Sequence, residues 1–86
     1  MKVSFEAHAF AEYNDWQKKN KKTFTRIQAL ITDIMRDPTS RGTGKAERLR
    51  HDRSGFCSRR IDKANRLVYQ IEGDNITIVS CSGHYD

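Results

Sequence analysis

Between residues 24 and 35 the apolar side chains recur at spacings of three and four: Phe24, Ile27, Ile31 and Ile34, joined by Leu30 and Met35. Only an α-helix puts those positions on one side, and a one-sided apolar stripe needs a second layer to cover it. The helix is expected from about Lys22 to Arg36. Pro38 ends it, because a residue preceding proline is driven out of the α region. Upstream, Lys2–Phe5 reads as a short strand. A helix then follows from about Ala7 to Lys19, with Phe10, Tyr13 and Trp16 spaced by three on one face and Lys18 and Lys19 suited to its C-terminal end.

Beyond the turn-rich stretch Pro38–Gly44 the period changes from helical to alternating. Strands are expected at Glu47–Leu49, Phe56–Ile61, Arg66–Glu72 and Ile76–Cys81. Gly73-Asp74 is a two-residue hairpin turn. With Glu72 opposite Asn75, the opposed pairs are Ile71/Ile76, Tyr69/Ile78 and Leu67/Ser80 on one face, and Val68/Val79 and Arg66/Cys81 on the other. The first face is the more apolar and should pack on the helices, leaving Arg66 on the uncovered face. A three-residue loop at Asp62–Ala64 would set Arg60 opposite Arg66, whereas a four-residue loop would pair Arg66 with Ile61. The expected fold is α+β, with two N-terminal helices packed on one face of a small, mainly antiparallel sheet. At 86 residues the expected organisation is a single domain, 1–86.

The formal charge of +5 is unevenly spread. From Arg41 to Arg66 there are nine basic and three acidic residues, a balance of +6, while the remainder holds seven and eight, a balance of −1. A basic cluster on a small domain points to a phosphate-bearing partner, with a merely solvated cationic face as the bland alternative. No apolar run approaches the ~20 residues that span a bilayer, and Met1-Lys2-Val3-Ser4-Phe5-Glu6 does not open like a secretory signal. The expected location is the cytoplasm, with no membrane partner. Cys57 and Cys81 are too far apart for a paired metal motif, and His8, His51 and His84 lack metal-ligand spacing, so neither metal nor cofactor is expected.

Cleaving an RNA phosphodiester takes a base for the 2′-hydroxyl, an acid for the departing 5′-oxygen and a cationic clamp for the crowded phosphate. Glu47, between Lys45 and Arg48, is an acid that neighbouring cations would keep ionised, although by itself it reads more readily as local charge balance. His84 is a group able to titrate near neutrality, or a terminal histidine with no task. Arg59, Arg60 and Arg66 are candidates for the clamp, since guanidinium pairs with phosphate oxygens in a bidentate manner. Tyr85 offers a stacking surface or a hydroxyl.

The order of these residues narrows the choice. Gly44-Lys45-Ala46-Glu47-Arg48-Leu49-Arg50-His51, Ser54-Gly55-Phe56-Cys57-Ser58-Arg59-Arg60-Ile61, Asn65-Arg66-Leu67-Val68-Tyr69 and the closing His84-Tyr85, with Met1-Lys2 and Trp16-Gln17, resemble the YoeB/Txe family of bacterial toxins over essentially the whole chain. The resemblance implies a RelE-like, microbial-ribonuclease-like fold and metal-independent mRNA cleavage in the ribosomal A site. The ribosome and its mRNA are thus implied partners. It also implies a cognate YefM/Axe-type antitoxin, contact with operator DNA only through the antitoxin complex, and relatives able to form homodimers. By position, Glu47 matches the general base, His84 the general acid, Arg66 the arginine that stabilises the transition-state phosphate, and Tyr85 the C-terminal tyrosine that holds substrate. Lys45, Arg50, Arg59 and Arg60 supply supporting positive charge.

Four positions depart from the family pattern. Cys57 stands where relatives often carry tryptophan, Ala46 replaces a common proline, Arg50 replaces the usual lysine, and Asp86 follows the tyrosine. The added carboxylate is expected to favour protonated His84. Two rivals to a nuclease remain at this point: a non-catalytic module that binds ribosomal RNA, and a DNA-contacting partner whose charge serves repression.

Overall fold

The computed structural model describes residues 1–37, 47–48 and 55–83. Its elements are β1 (Lys2–Phe5), α1 (Ala7–Lys19), α2 (Lys21–Arg36), β2 (Glu47–Arg48), β3 (Phe56–Arg60), β4 (Arg66–Glu72) and β5 (Asn75–Ser80). The five strands form one sheet in the order β1-β5-β4-β3-β2, with β1 parallel to β5 and every other pair antiparallel. This is the expected α+β architecture.

Asn20 is the hinge between the helices. Its backbone N–H closes α1 on the Trp16 carbonyl at 2.9 Å, and its side chain accepts from the Thr23 N–H at 3.2 Å to cap α2. The stripe on α2 buries Ile27, Leu30, Ile31 and Ile34. These pack with Ala9 of α1 against Leu67 and Tyr69 of β4 and Ile76 and Ile78 of β5, the sheet face expected to carry the core. On α1 the expected stripe is only partly right. Ala9 is fully buried while Phe10 is 52% exposed and rests edge-on against Phe5, 5.9 Å between ring centroids. Tyr13 and Trp16 are half-buried against the core.

The Gly73-Asp74 turn sets the expected pairs Glu72/Asn75, Ile71/Ile76 and Tyr69/Ile78. Beyond them the ladder slips. Val68 pairs with Ser80, so Val79 is an extra residue on β5 and the expected Val68/Val79 and Leu67/Ser80 pairs do not form. Such a bulge bends its strand and raises the local twist. Two features record the outcome: the strand ends at Ser80, and the Arg66 N–H donates to the carbonyl of Gly83 at 2.9 Å. Gly83 has φ +83°, a left-handed conformation that glycine adopts without penalty.

Candidate functional site around Arg66

Arg60 and Arg66 are direct partners across β3 and β4, as the three-residue loop required. The loop is built by Asp62, whose Oδ1 accepts the N–H groups of Ala64 and Asn65, both at 2.8 Å. Ile61 N–H and Asp62 N–H both donate to the Asn65 carbonyl, at 3.0 and 3.1 Å. Residues opposed in an antiparallel ladder share a sheet face, with their Cα atoms only ~4.5–5.5 Å apart. The two arginines therefore project their side chains from neighbouring positions on one sheet face. Like charges so placed repel in the free protein, and a phosphate between them would relieve that repulsion.

Arg66 is half-buried, and its Nε donates to Ser58 Oγ at 2.9 Å. Arg60 is exposed, and its carbonyl accepts from Arg26 on α2 at 3.0 Å, which brings a third guanidinium to this end of β3. Ser58 is also the Cα partner of Glu47 on β2. By register, Glu47 thus lies on the sheet face of Ser58, Arg60 and Arg66. The same Arg66 backbone N–H holds Gly83, the residue bonded to His84. Three stretches far apart in sequence converge on Arg66.

Arg59 requires a correction. As the neighbour of Arg60 on an extended strand it points to the opposite face, where its side chain is 0% exposed. There it forms an ion pair with Asp33 of α2, and its Nε donates to the Tyr69 hydroxyl at 3.3 Å. Burial pulls the Arg59 pKa down, but the bonds to Tyr69 and Asp33 outweigh it and hold the guanidinium charged. Burial pushes the Tyr69 hydroxyl up against the lowering influence of Arg59, so the phenol stays neutral. Arg59 ties α2 to the sheet and presents no group to a substrate. The other candidates, Lys45, Arg50, His84 and Tyr85, lie outside the described residues, as does Asp86.

Sequence reasoning missed Ser58, Asn65 and Asp33. Ser58 was within reach of it, being two residues before Arg60 on a strand and so on the same face. Asp33, an acid beside Ile34 in an otherwise apolar stripe, signals a buried partner only once α2 is known to cross β3.

The chain has counterparts among known proteins. Residues 5–85 match the family model for the YoeB-like toxin of bacterial type II toxin-antitoxin systems. The chain is 44% identical to the toxin YoeB of Streptomyces coelicolor over 85 residues, covering 99% of this chain and all of that one. Among solved structures it is similar to the YoeB/ParE toxin from Agrobacterium tumefaciens, with a TM-score of 0.94 and 32% identity over 99% of this chain and 100% of the other. It is likewise similar to a chain of the YoeB-YefM complex from Staphylococcus aureus, with a TM-score of 0.89 and 38% identity over 99% and 98%.

Proposed function

Because this chain belongs to the family of YoeB-like toxins of bacterial type II toxin-antitoxin systems, we propose that it is a ribosome-dependent endoribonuclease that cuts mRNA in the A site. Glu47 removes the proton from the 2′-hydroxyl, which attacks the adjacent phosphorus. Arg66, with Arg60 beside it, neutralises the charge that grows on the phosphoryl oxygens. His84 gives a proton to the 5′-oxygen as its bond to phosphorus breaks, leaving a 2′,3′-cyclic phosphate and a 5′-hydroxyl end. Lys45 and Arg50 add charge along the RNA backbone, and Tyr85 holds a base or the phosphate. No step requires a metal ion.

The observation that supports this reading is the convergence at Arg66. One residue shares a sheet face with Glu47, opposes Arg60, and hydrogen-bonds the residue preceding His84. An RNA-binding surface needs only cations, whereas cutting also needs a general base and a general acid, which Glu47 and His84 supply in this reading. A site this small leaves substrate positioning to the ribosome, and the entropic gain from a held substrate is large. The Staphylococcus aureus relative is found with YefM, which supports an antitoxin of that type as the inhibitor of this chain.

Primer extension on mRNA in programmed ribosomes tests the mechanism. Wild type should cut at defined sites, and Glu47→Ala and His84→Ala should each slow cutting by ~10²–10⁴-fold while still binding ribosomes. Cuts of wild-type intensity in both variants would overturn the assignment. Intact mRNA on stalled ribosomes with the wild type would favour the non-catalytic module instead.

A further inference from the structure

β5 leaves the sheet at Ser80, yet the backbone of Cys81 and Gly83 is hydrogen-bonded to neighbouring elements. On one flank, α1 holds them. Glu12 Oε1 accepts the Cys81 N–H at 2.9 Å, and Trp16 Nε1 donates to the Cys81 carbonyl at 2.9 Å with the Ser82 hydroxyl also in reach at 3.1 Å. On the other flank, the turn between β3 and β4 holds them. Asn65 Oδ1 accepts the Gly83 N–H at 2.9 Å, and the Arg66 N–H donates to the Gly83 carbonyl at 2.9 Å.

The Asn65 side chain is itself fixed. Its amide nitrogen donates to the two Asp62 carboxylate oxygens at 3.0 and 3.2 Å, which turns Oδ1 toward Gly83. A segment outside regular structure ordinarily gives its N–H and C=O groups to water. Here two separate elements, α1 and the β3–β4 turn, take up the backbone of Cys81 and Gly83 on both sides.

We propose that Glu12, Trp16 and Asn65 are positioning residues for the cleavage reaction: they latch residues 81–83 so that the side chain of the next residue, His84, is delivered to the phosphate held by Arg66. This rests on the nuclease reading above. Gly83, the residue bonded to His84 in the chain, is thereby anchored to the Arg66 backbone. None of the three residues is required to touch RNA. Releasing one of them lets the tail wander, and a displacement of ~1 Å at a reacting group can cost ~10²-fold in rate.

The test is single-turnover cleavage on programmed ribosomes at saturating protein. Glu12→Ala, Glu12→Gln and Asn65→Ala are each placed in the wild-type and the His84→Ala backgrounds, and thermal melts confirm folding. Glu12→Ala and Asn65→Ala should slow wild-type cutting by ~10–100-fold with an unchanged half-saturating concentration. Glu12→Gln keeps an acceptor oxygen and should stay within ~2-fold of wild type. None should slow the His84→Ala protein further, because the latch acts only through His84. Equal losses in both backgrounds would reveal a general structural role and overturn the latch. So would wild-type rates for Glu12→Ala and Asn65→Ala in a protein that cuts. A wild type that does not cut refutes the nuclease reading itself, and the latch falls with it.

Discussion

Removing Asp33 should cost more than removing Asp33 and Arg59 together. The Arg59 guanidinium is 0% exposed, while the Asp33 carboxylate is 20% exposed at the α2–β3 boundary. Asp33→Ala takes the carboxylate from a buried arginine and keeps the weaker bond to the Tyr69 hydroxyl at 3.3 Å. Deleting one member of a buried pair typically costs ~3–5 kcal/mol, because the surviving charge keeps its desolvation penalty without its counter-ion. The partial exposure of Asp33 and the retained Tyr69 bond reduce that to about 2–3 kcal/mol. For a chain of this size such a loss lowers Tm by ~10–20 °C. Arg59→Met fills similar volume and carries no charge, so adding it to Asp33→Ala should restore at least ~1 kcal/mol. Urea denaturation of the two single variants and the double variant, fitted with a common m-value, measures the coupling. An Asp33→Ala protein within ~0.5 kcal/mol of wild type, or a double variant less stable than Asp33→Ala, would refute the reasoning.

Three further outcomes follow from single contacts. Burial, helped by the Glu12 charge, pushes the Cys81 thiol from its ordinary 9.0 up to about 12. The folded state then keeps a proton that the unfolded chain loses above pH 9, so stability should fall as pH rises from 9 towards 12, at up to ~1.4 kcal/mol per pH unit. Burial of Tyr69 acts in the same direction. Urea melts across this range should show a shallower decline for Cys81→Ala, and an unchanged slope would discount the thiol. At Gly83, among the described residues and apart from its chain neighbours, nothing lies within 4 Å of an added Cβ, so Gly83→Ala should show the left-handed backbone penalty, ~1–2 kcal/mol, read by thermal melting. Asn20→Ala removes the cap of α2 and should cost ~1 kcal/mol in the same assay, with Asn20→Asp near wild type.

Much of the architecture was readable because it rests on local rules. The α2 stripe, the Pro38 stop and the Gly73-Asp74 turn each depend on residues within a few positions of one another, and the observed α2, β4 and hairpin register agree with them. Whether Arg60 or Ile61 opposes Arg66 was left open by the sequence, and the turn that Asp62 holds together decided for Arg60. The bulge at Val79 was not readable either. Its signal is no different from that of any β-branched strand residue, and the slip is decided by how the end of β5 meets α1. Phe10 shows the same limit: a spacing of three was right for the helix, but which side of it faces the sheet depended on Ala9 fitting closer.

For the site, Glu47, Arg60 and Arg66 were named through the resemblance in residue order, and the register of β2, β3 and β4 puts the three positions on one sheet face. The role of Arg59 was decided elsewhere. A buried guanidinium survives only with a counter-ion, and that counter-ion sits on α2, 26 positions away. The joining of Gly83 to Arg66 was likewise settled by packing, because it needs β5 to bend past β4 and α1 to take up the freed backbone groups. Periodicity and turn chemistry thus determine which elements exist and which residues share a face. Which arginine meets solvent, and which distant backbone groups are held beside it, is set by long-range desolvation and hydrogen bonding that arise only when the helices close over the sheet.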